Sequence, residues 1–403
     1  MKILIVAHFT QVPQEKGNNR FNYMANLLSE NKDNQVELIT SAFSHKFKKK
    51  RDLNDKEISK LNYKLTMLEE PNYKKNISLK RFYSHYKLSR NLKKYLENLD
   101  YKPDIIYCAV PSLDVAKVTA KYAKKNNIKF IIDIQDLWPE AFEMVFHIPI
   151  ISNILYFPMK RQANYIYKTA DSIIAVSQTY INRALKVNKK SKENEAVFLG
   201  TKMAIFDEYK NESKEEKESI TKIAYIGTLG HSYNIKVIID AISILNKKGI
   251  NDIQFVIMGD GPLKSEFEKY AKQKKINYIF TGMLQYKKMI AKLCNCDIAV
   301  NPINRKSAGS IINKVGDYAM AGLPVINTQE NEEYRNLVEK YNLGYNCNNN
   351  DVKDIAEKIE KLYNNKKLRK EYGANNRKLA EEKFDRARTY KNIQMMIEGV
   401  KVC

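Results

Sequence analysis

Lys314 and Asp317 stand three residues apart in INKVGDYAMAGLPVIN (312–327). That spacing places both side chains on one face of a helix. Gly322 and Pro324 then end the helix and lead into an apolar run. Two chemistries fit the pair. One is an ion pair on an amphipathic surface. The other is a helix N-terminus that meets a phosphate, with both residues handling the same ligand.

Three further stretches bear on that choice. YIGTLG (225–230) reads as a strand, a glycine turn and a helical run from Ile235. Gly227 and Gly230 would let the backbone approach a ligand. VIMGDGPLK (256–264) repeats the arrangement through Gly259 and Gly261, with Pro262 suited to a first helical turn. NPINRKSAGSIINK (301–314) is a third strand exit, carrying Arg305, Lys306 and Ser310 as a helix cap. Strand exits in an open α/β sheet share one edge, where ligands bind. Together these turns would make an anion site of backbone N–H groups and two or three cations.

The first half offers carboxylates. FIIDIQDLWPE (130–140) ends a strand with Asp133, Asp136 and Glu140 close together. Asp136, at the exit itself, is the first candidate to position or deprotonate an acceptor hydroxyl; its alternative is a cap for a helix near Pro139. Asp133 lies inside the strand and reads as a buried polar partner. Trp138, the single tryptophan, could stack on a sugar or fill core. His8 ends the first strand and could face the same cleft, and His231 follows the glycine turn; a lone histidine is more often structural than catalytic. GNNR (17–20) reads as a cap for a helix beginning near Arg20.

These residues need a scaffold. KILIVA (2–7), QVELITS (35–41), DIIYCAV (104–110), KFIIDIQ (129–135), DSIIAVS (171–177) and EAVFLG (195–200) are continuous apolar runs. Such runs suit strands buried on both faces of a parallel sheet. Helical stretches alternate with them, so the class is α/β with a doubly wound sheet. A polar segment (207–220) reads as a linker, and a second βα series follows from Thr221. The expected organisation is two Rossmann-like domains facing a cleft. Residues 1–203 form the first, 204–380 the second, and 381–403 a helix packing back on the first. Residues 45–95, dense in Lys, Arg and Tyr, fit neither series and read as a charged helix or loop, or as a binder of headgroups or phosphate.

Lys and Arg number 69 against 46 Asp and Glu, a net charge of +23. Such a surface attracts anionic headgroups, pyrophosphates or nucleic acid. Five cysteines at irregular spacing argue against a disulfide framework. No secretion signal and no run of about 20 apolar residues appears, so a cytoplasmic protein, soluble or peripheral, is expected.

YIGTLG, MGDGP and KVGDYAMAGLPVI, in this order and at these spacings, resemble the nucleotide-sugar half of retaining glycosyltransferases of family four, which have the GT-B fold of two Rossmann-like domains. DIQDLWPE, GNNR and NYKKNISLKR (72–81) resemble a subgroup that builds bacterial capsule or O-antigen. The resemblance implies that Gly17, Asn18, Gly227, Thr228, Gly230, Gly259, Gly261, Lys306, Ser310, Ile311 and Ile312 line the donor. Asp317 would hold the donor ribose, one carbon shorter than the usual Glu. Gly309 stands where the family often has a second Glu. Lys314 and Arg305 would neutralise the leaving diphosphate, with Asp136 as the catalytic carboxylate. Trp138, Glu140, Lys80 and Arg81 would lie on the acceptor side.

Breaking a sugar–phosphate bond develops charge that a metal or cations can stabilise. No Asp-x-Asp stands in a strand context, so a metal-free reaction without a cofactor is expected. The partners implied are a nucleotide-sugar donor, expected to be UDP-linked and of N-acetylhexosamine type, a lipid-linked or saccharide acceptor, and an anionic membrane surface. A nucleotide-sugar 2-epimerase of the same fold is one alternative. A basic nucleic-acid-binding protein is another, though no zinc finger or stacking motif supports it.

Overall fold

Apolar runs become the inner strands of two parallel sheets, because a strand covered by helices on both faces has no solvent side. The computed structural model describes residues 1–13, 15, 20–53, 55–76, 78–143, 151–212, 220–305 and 310–399. The chain divides into one unit of Met1–Val197 with Tyr390–Cys403, and a second of Phe198–Thr389.

In the first unit the strands are β1 Lys2–Val6, β2 Gln35–Ser41, β3 Lys64–Leu68, β4 Ile105–Val110, β5 Lys129–Ile134, β6 Ser172–Ala175 and β7 Glu193–Ala196. They pair in the order β3-β2-β1-β4-β5-β6-β7, all parallel. This is the doubly wound order, whose switch point lies between β1 and β4. Tyr390, Ile393 and Ile397, late in the chain, are fully buried with the strands of this unit.

The second unit repeats the plan with β8 Thr221–Ile226, β9 Ile253–Met258, β10 Asn277–Gly282, β11 Ile298–Asn301, β12 Val325–Asn327 and β13 Gly344–Asn346. The order β10-β9-β8-β11-β12-β13 sets its switch point between β8 and β11.

Two segments differ from the sequence reading. Residues 45–95 are not outside the βα series: they hold β3, paired to β2, and the helix Leu79–Glu97. An edge strand with a half-exposed face carries mixed residues such as KLTML, which hides it from an apolar scan. The start of the expected linker is helical instead, within Met203–Asn211. Phe206 anchors that helix, fully buried among Ala224, Met258 and Tyr318. Residues 213–219 of the expected linker lie outside the described residues.

Arg51, at the end of the basic run KFKKKR, also departs from a surface role. It is 9% exposed, pairs with Glu15 at 2.8 Å and donates to the carbonyls of Ser41 and Thr10. It holds loops of the first unit together.

Candidate functional site

The glycine turn after β8 and the turn after β9 pack against each other. Gly227 N–H donates to Met258 O at 3.0 Å, and Leu229 N–H to Asp260 O at 2.9 Å. A Cβ on Gly259 would stand 1.8 Å from the Gly227 carbonyl oxygen, and one on Gly261 2.4 Å from that of Leu229. These two glycines are therefore required by loop-on-loop packing, whatever ligand the edge takes. Gly227 differs. Its φ of +128° suits only glycine, and a Cβ there would sit 3.0 Å from the Lys314 ammonium. Gly230 faces open space apart from Thr228 Cγ2 at 3.7 Å. The Thr228 carbonyl accepts the Tyr225 hydroxyl at 2.7 Å.

After β11 the chain leads to the helix Lys314–Ala321. Arg305 is exposed and pairs with Glu330 at 3.3 Å. Lys306 and Gly309 lie outside the described residues, as do Gly17 and Asn18. The Ser310 carbonyl accepts from Gln329 at 2.7 Å; Ser310 does not cap the helix, whose first flanking residue is Asn313. Ile311 is buried and Ile312 packs on the same core. Tyr318 locks the helix across the switch point: its hydroxyl donates to Val300 O and accepts from Ile226 N–H. Gly322 ends the helix in the left-handed conformation at φ 69°, and Leu323 N–H returns to Tyr318 O at 3.1 Å.

Lys314 reaches across this switch point. Its Nζ is 4.0 Å from the Tyr225 ring centre and 3.9 Å from that of Tyr233. The residue is 8% exposed, and Nζ has no hydrogen-bond partner among the described residues. Burial pulls its pKa well below the ordinary lysine value. Asp317, one turn on, takes a hydrogen bond from the Tyr286 hydroxyl at 2.8 Å. Burial pushes its carboxyl up to about 6. The two side chains make no ion pair with each other among the described residues, so the surface-pair reading of the spacing is not what the fold uses. A buried lysine without a counter-ion among the described residues, beside a half-buried carboxylate at a topological switch point, can receive an anionic ligand bearing hydroxyls.

In the first unit, Asp136 at the β5 exit accepts from Leu137 N–H at 2.9 Å, from the Trp138 indole at 3.3 Å and from Tyr180 at 3.4 Å. Burial raises its pKa despite these donors. These donors all lie outside the short helix Glu140–Glu143. Glu140 is held by Arg183. Asp133 is the buried polar partner expected of it, taking Arg20 through both oxygens. Trp138 lies beneath the Arg81 guanidinium, 5.0 Å from the ring centre, and packs on Phe142, Phe9 and His85. Lys80 is exposed near the start of its helix.

The sequence reading missed one cluster. His8, after β1, donates to or accepts from Ser112, after β4, at 2.6 Å, so the contact spans the switch point of this sheet. His8 Nε2 also lies 2.9 Å from Glu70, and His45 Nε2 lies 3.3 Å from the same oxygen. His85 completes the group. Burial pushes His45 down to about 4 and lowers His85 further. Burial pushes Glu70 up, but the facing His8 and His45 outweigh it and hold the carboxyl well below its usual range. The four residues come from separate segments, so no local motif announces them.

Residues 206–379 match the family model described as Glycosyl transferases group 1. An uncharacterized glycosyltransferase of Methanocaldococcus jannaschii is 24% identical over 61% of this chain; the match spans 63% of that protein's length. The capsular polysaccharide biosynthesis glycosyltransferase CapM of Staphylococcus aureus is 23% identical over 73% of this chain and 76% of its own. Among solved structures, sucrose-phosphate synthase from Thermosynechococcus elongatus superposes with a TM-score of 0.71 at 14% identity, covering 99% of this chain and 98% of that one. The Anabaena protein HepE in complex with UDP gives 0.68 at 13% identity, covering 99% and 100%. The likeness to these structures establishes the fold.

Proposed function

We propose that this chain, a group 1 glycosyltransferase of the GT-B fold, moves a sugar from a nucleotide diphosphate to a lipid-linked or saccharide acceptor in cell-surface polysaccharide synthesis. The observation that carries the donor half is Lys314: a buried lysine whose Nζ has no hydrogen-bond partner among the described residues, set where Gly227 leaves room. A donor diphosphate would supply its missing counter-charge. As the sugar–phosphate bond breaks, charge grows on the leaving diphosphate, and a preorganised cation lowers that barrier. Lys314 gives the leaving group a cation from the protein itself, so the reading is metal-independent at the diphosphate. Asp317 would accept the ribose hydroxyls, and retention follows the resemblance of the AMAGLPV region. The capsular polysaccharide relative CapM is named as a glycosyltransferase, which favours transfer over epimerisation. Uridine is the base proposed, because the similar HepE was solved with UDP.

The test is a thermal-shift screen of nucleoside diphosphates and their sugars, followed by calorimetric titration. UDP at 100 times its dissociation constant adds about 2.7 kcal/mol of stability. No shift with any nucleotide at saturating level refutes the donor site. Asp317→Asn should weaken UDP-sugar binding at neutral pH. Wild-type affinity should also fall as pH drops through about 6, where Asp317 takes a proton. The raised pKa means the ionised carboxylate burdens the fold above that pH, so the Asn variant should keep or gain stability. Equal affinity for both proteins at pH 7.5 would leave Asp317 without a role.

For the acceptor side, the helix Leu79–Glu97 exposes Leu79 (87%), Phe82 (55%), Tyr83 (54%) and Tyr86 (53%). The spacing i, i+3, i+4, i+7 makes them one apolar stripe, flanked by exposed Lys80, Lys87 and Arg90. The helix Ile151–Thr169 exposes Ile154, Leu155 and Phe157. No described helix is long and apolar enough to cross a membrane. An exposed apolar stripe beside cations supports peripheral attachment to an anionic membrane, where a lipid-linked acceptor would be met. Phe82→Ser with Tyr83→Ser should cut liposome partition about thirtyfold, each inserted ring contributing about 1 kcal/mol. Wild-type protein that sediments equally poorly with neutral and anionic vesicles at low salt removes the membrane from the reading.

A further inference from the structure

We propose that His8, His45, Glu70 and His85 bind one divalent transition-metal ion, with zinc the best fit. Their four ligand atoms all lie within 4.8 Å of one another. Ligands of a tetrahedral zinc stand about 3.3 Å apart, as bonds of about 2.0 Å require, so the cluster needs only small adjustments. Three imidazoles and one carboxylate are a borderline donor set, suited to zinc rather than to calcium or magnesium.

The surroundings are those of a ligand set held by outer partners. His8 offers Nε2 to the centre while Nδ1 meets Ser112 Oγ at 2.6 Å. His45 offers Nε2 while Nδ1 meets the Tyr73 hydroxyl at 2.6 Å. Ser84 donates to the outer oxygen of Glu70, leaving Oε2 to the centre. Outer hydrogen bonds of this kind fix ring orientation and raise ligand basicity. Phe9, Phe43, Tyr73 and Trp138 wall the cluster with rings. His8, Glu70 and His85 are buried, and the His45 side chain, 11% exposed, gives an entry path.

Without an ion His8 Nε2 is satisfied by Glu70, whereas His45 Nε2, 3.3 Å from the same oxygen, is buried and makes no hydrogen bond among the described residues. Arg81 Nε lies 3.4 Å from His85 Nε2, so its charge opposes a cation, and binding would turn His85 from Arg81 toward the metal. The ion would tie four segments together: the β1 exit, the loop of His45, the segment after β3 and the helix bearing the apolar stripe. The proposal concerns the first unit and stands apart from the donor reading.

The experiment uses the full chain without a histidine tag. After dialysis against metal-free buffer, zinc is titrated by calorimetry and cobalt(II) by visible absorption. One zinc per chain, a raised melting temperature and the visible bands of tetrahedral cobalt are expected. His45→Ala should weaken zinc by a hundredfold or more, and Tyr73→Phe, which leaves every ligand in place, by about tenfold. Arg81→Gln should tighten it. The wild-type cobalt spectrum needs no variant to fold. If wild-type protein takes up no zinc and cobalt gives only its aqueous spectrum, the cluster is a hydrogen-bonded network and the metal site is wrong. Unchanged zinc affinity in His45→Ala overturns it equally.

Discussion

Lys314→Met is expected to slow turnover, read as release of nucleoside diphosphate, by about 10²–10³, the usual loss when one donor to developing negative charge is removed. Stability should hold or rise. A buried ammonium loses hydration, and among the described residues only the faces of Tyr225 and Tyr233 answer its charge. Methionine fills much of the same volume without that burden. The sign with pH follows from the lowered pKa. Between the folded value and the unfolded value near 10.4, the unfolded chain holds the extra proton, so wild-type stability climbs with pH. The Met variant should lose that climb in urea midpoints measured from neutral to alkaline pH. Turnover within threefold of wild type would take Lys314 out of the chemistry. A large stability loss would show that the ammonium supports the fold instead.

What could be read beforehand followed from burial. Strands such as β4, with IIYCAV buried at every position, betray themselves because both faces are covered. β3 did not, since only an inner edge strand's neighbour pairs with it and its residues stay half exposed. The glycines of YIGTLG and MGDGP were visible, yet the reason for Gly259 and Gly261 was not: it lies in the other turn's backbone. Lys314 was legible as a candidate cation at a helix start. Its burial between Tyr225 of β8 and Tyr233 of the turn that follows was not, because topology alone brings residues 225 and 233 to it. The histidine cluster was the least legible. Its members lie 15 to 37 residues apart along the chain, and only the parallel order of β3, β2, β1 and β4 gathers them. The boundary at 198 and the return of residues 390–403 likewise depend on which core Phe198 and Tyr390 enter.

Arg20→Met should destabilise the first unit by about 3–5 kcal/mol, the cost of leaving a buried charge without its partner. Arg20 begins the helix Arg20–Ser29 and is 2% exposed, while Asp133 in β5 is fully buried. The guanidinium reaches both carboxylate oxygens, at 3.1 and 3.0 Å. It also donates to Tyr390 at 3.2 Å and to the Val197 carbonyl, so one side chain ties a helix, a central strand and both chain segments that border the unit. Tyr107 and Gln135 add donors to Asp133. With Arg20 gone those two neutral donors remain, and they cannot neutralise the carboxylate. Asp133→Asn should cost a comparable amount by stranding the guanidinium. The double variant Arg20→Met, Asp133→Asn should recover part of the loss, because neither charge is then orphaned. Urea unfolding of the four proteins measures the cycle. A loss under 1 kcal/mol for Arg20→Met, or a double variant as unstable as the two single losses combined, would mean the pair is not the tie that its burial and geometry describe.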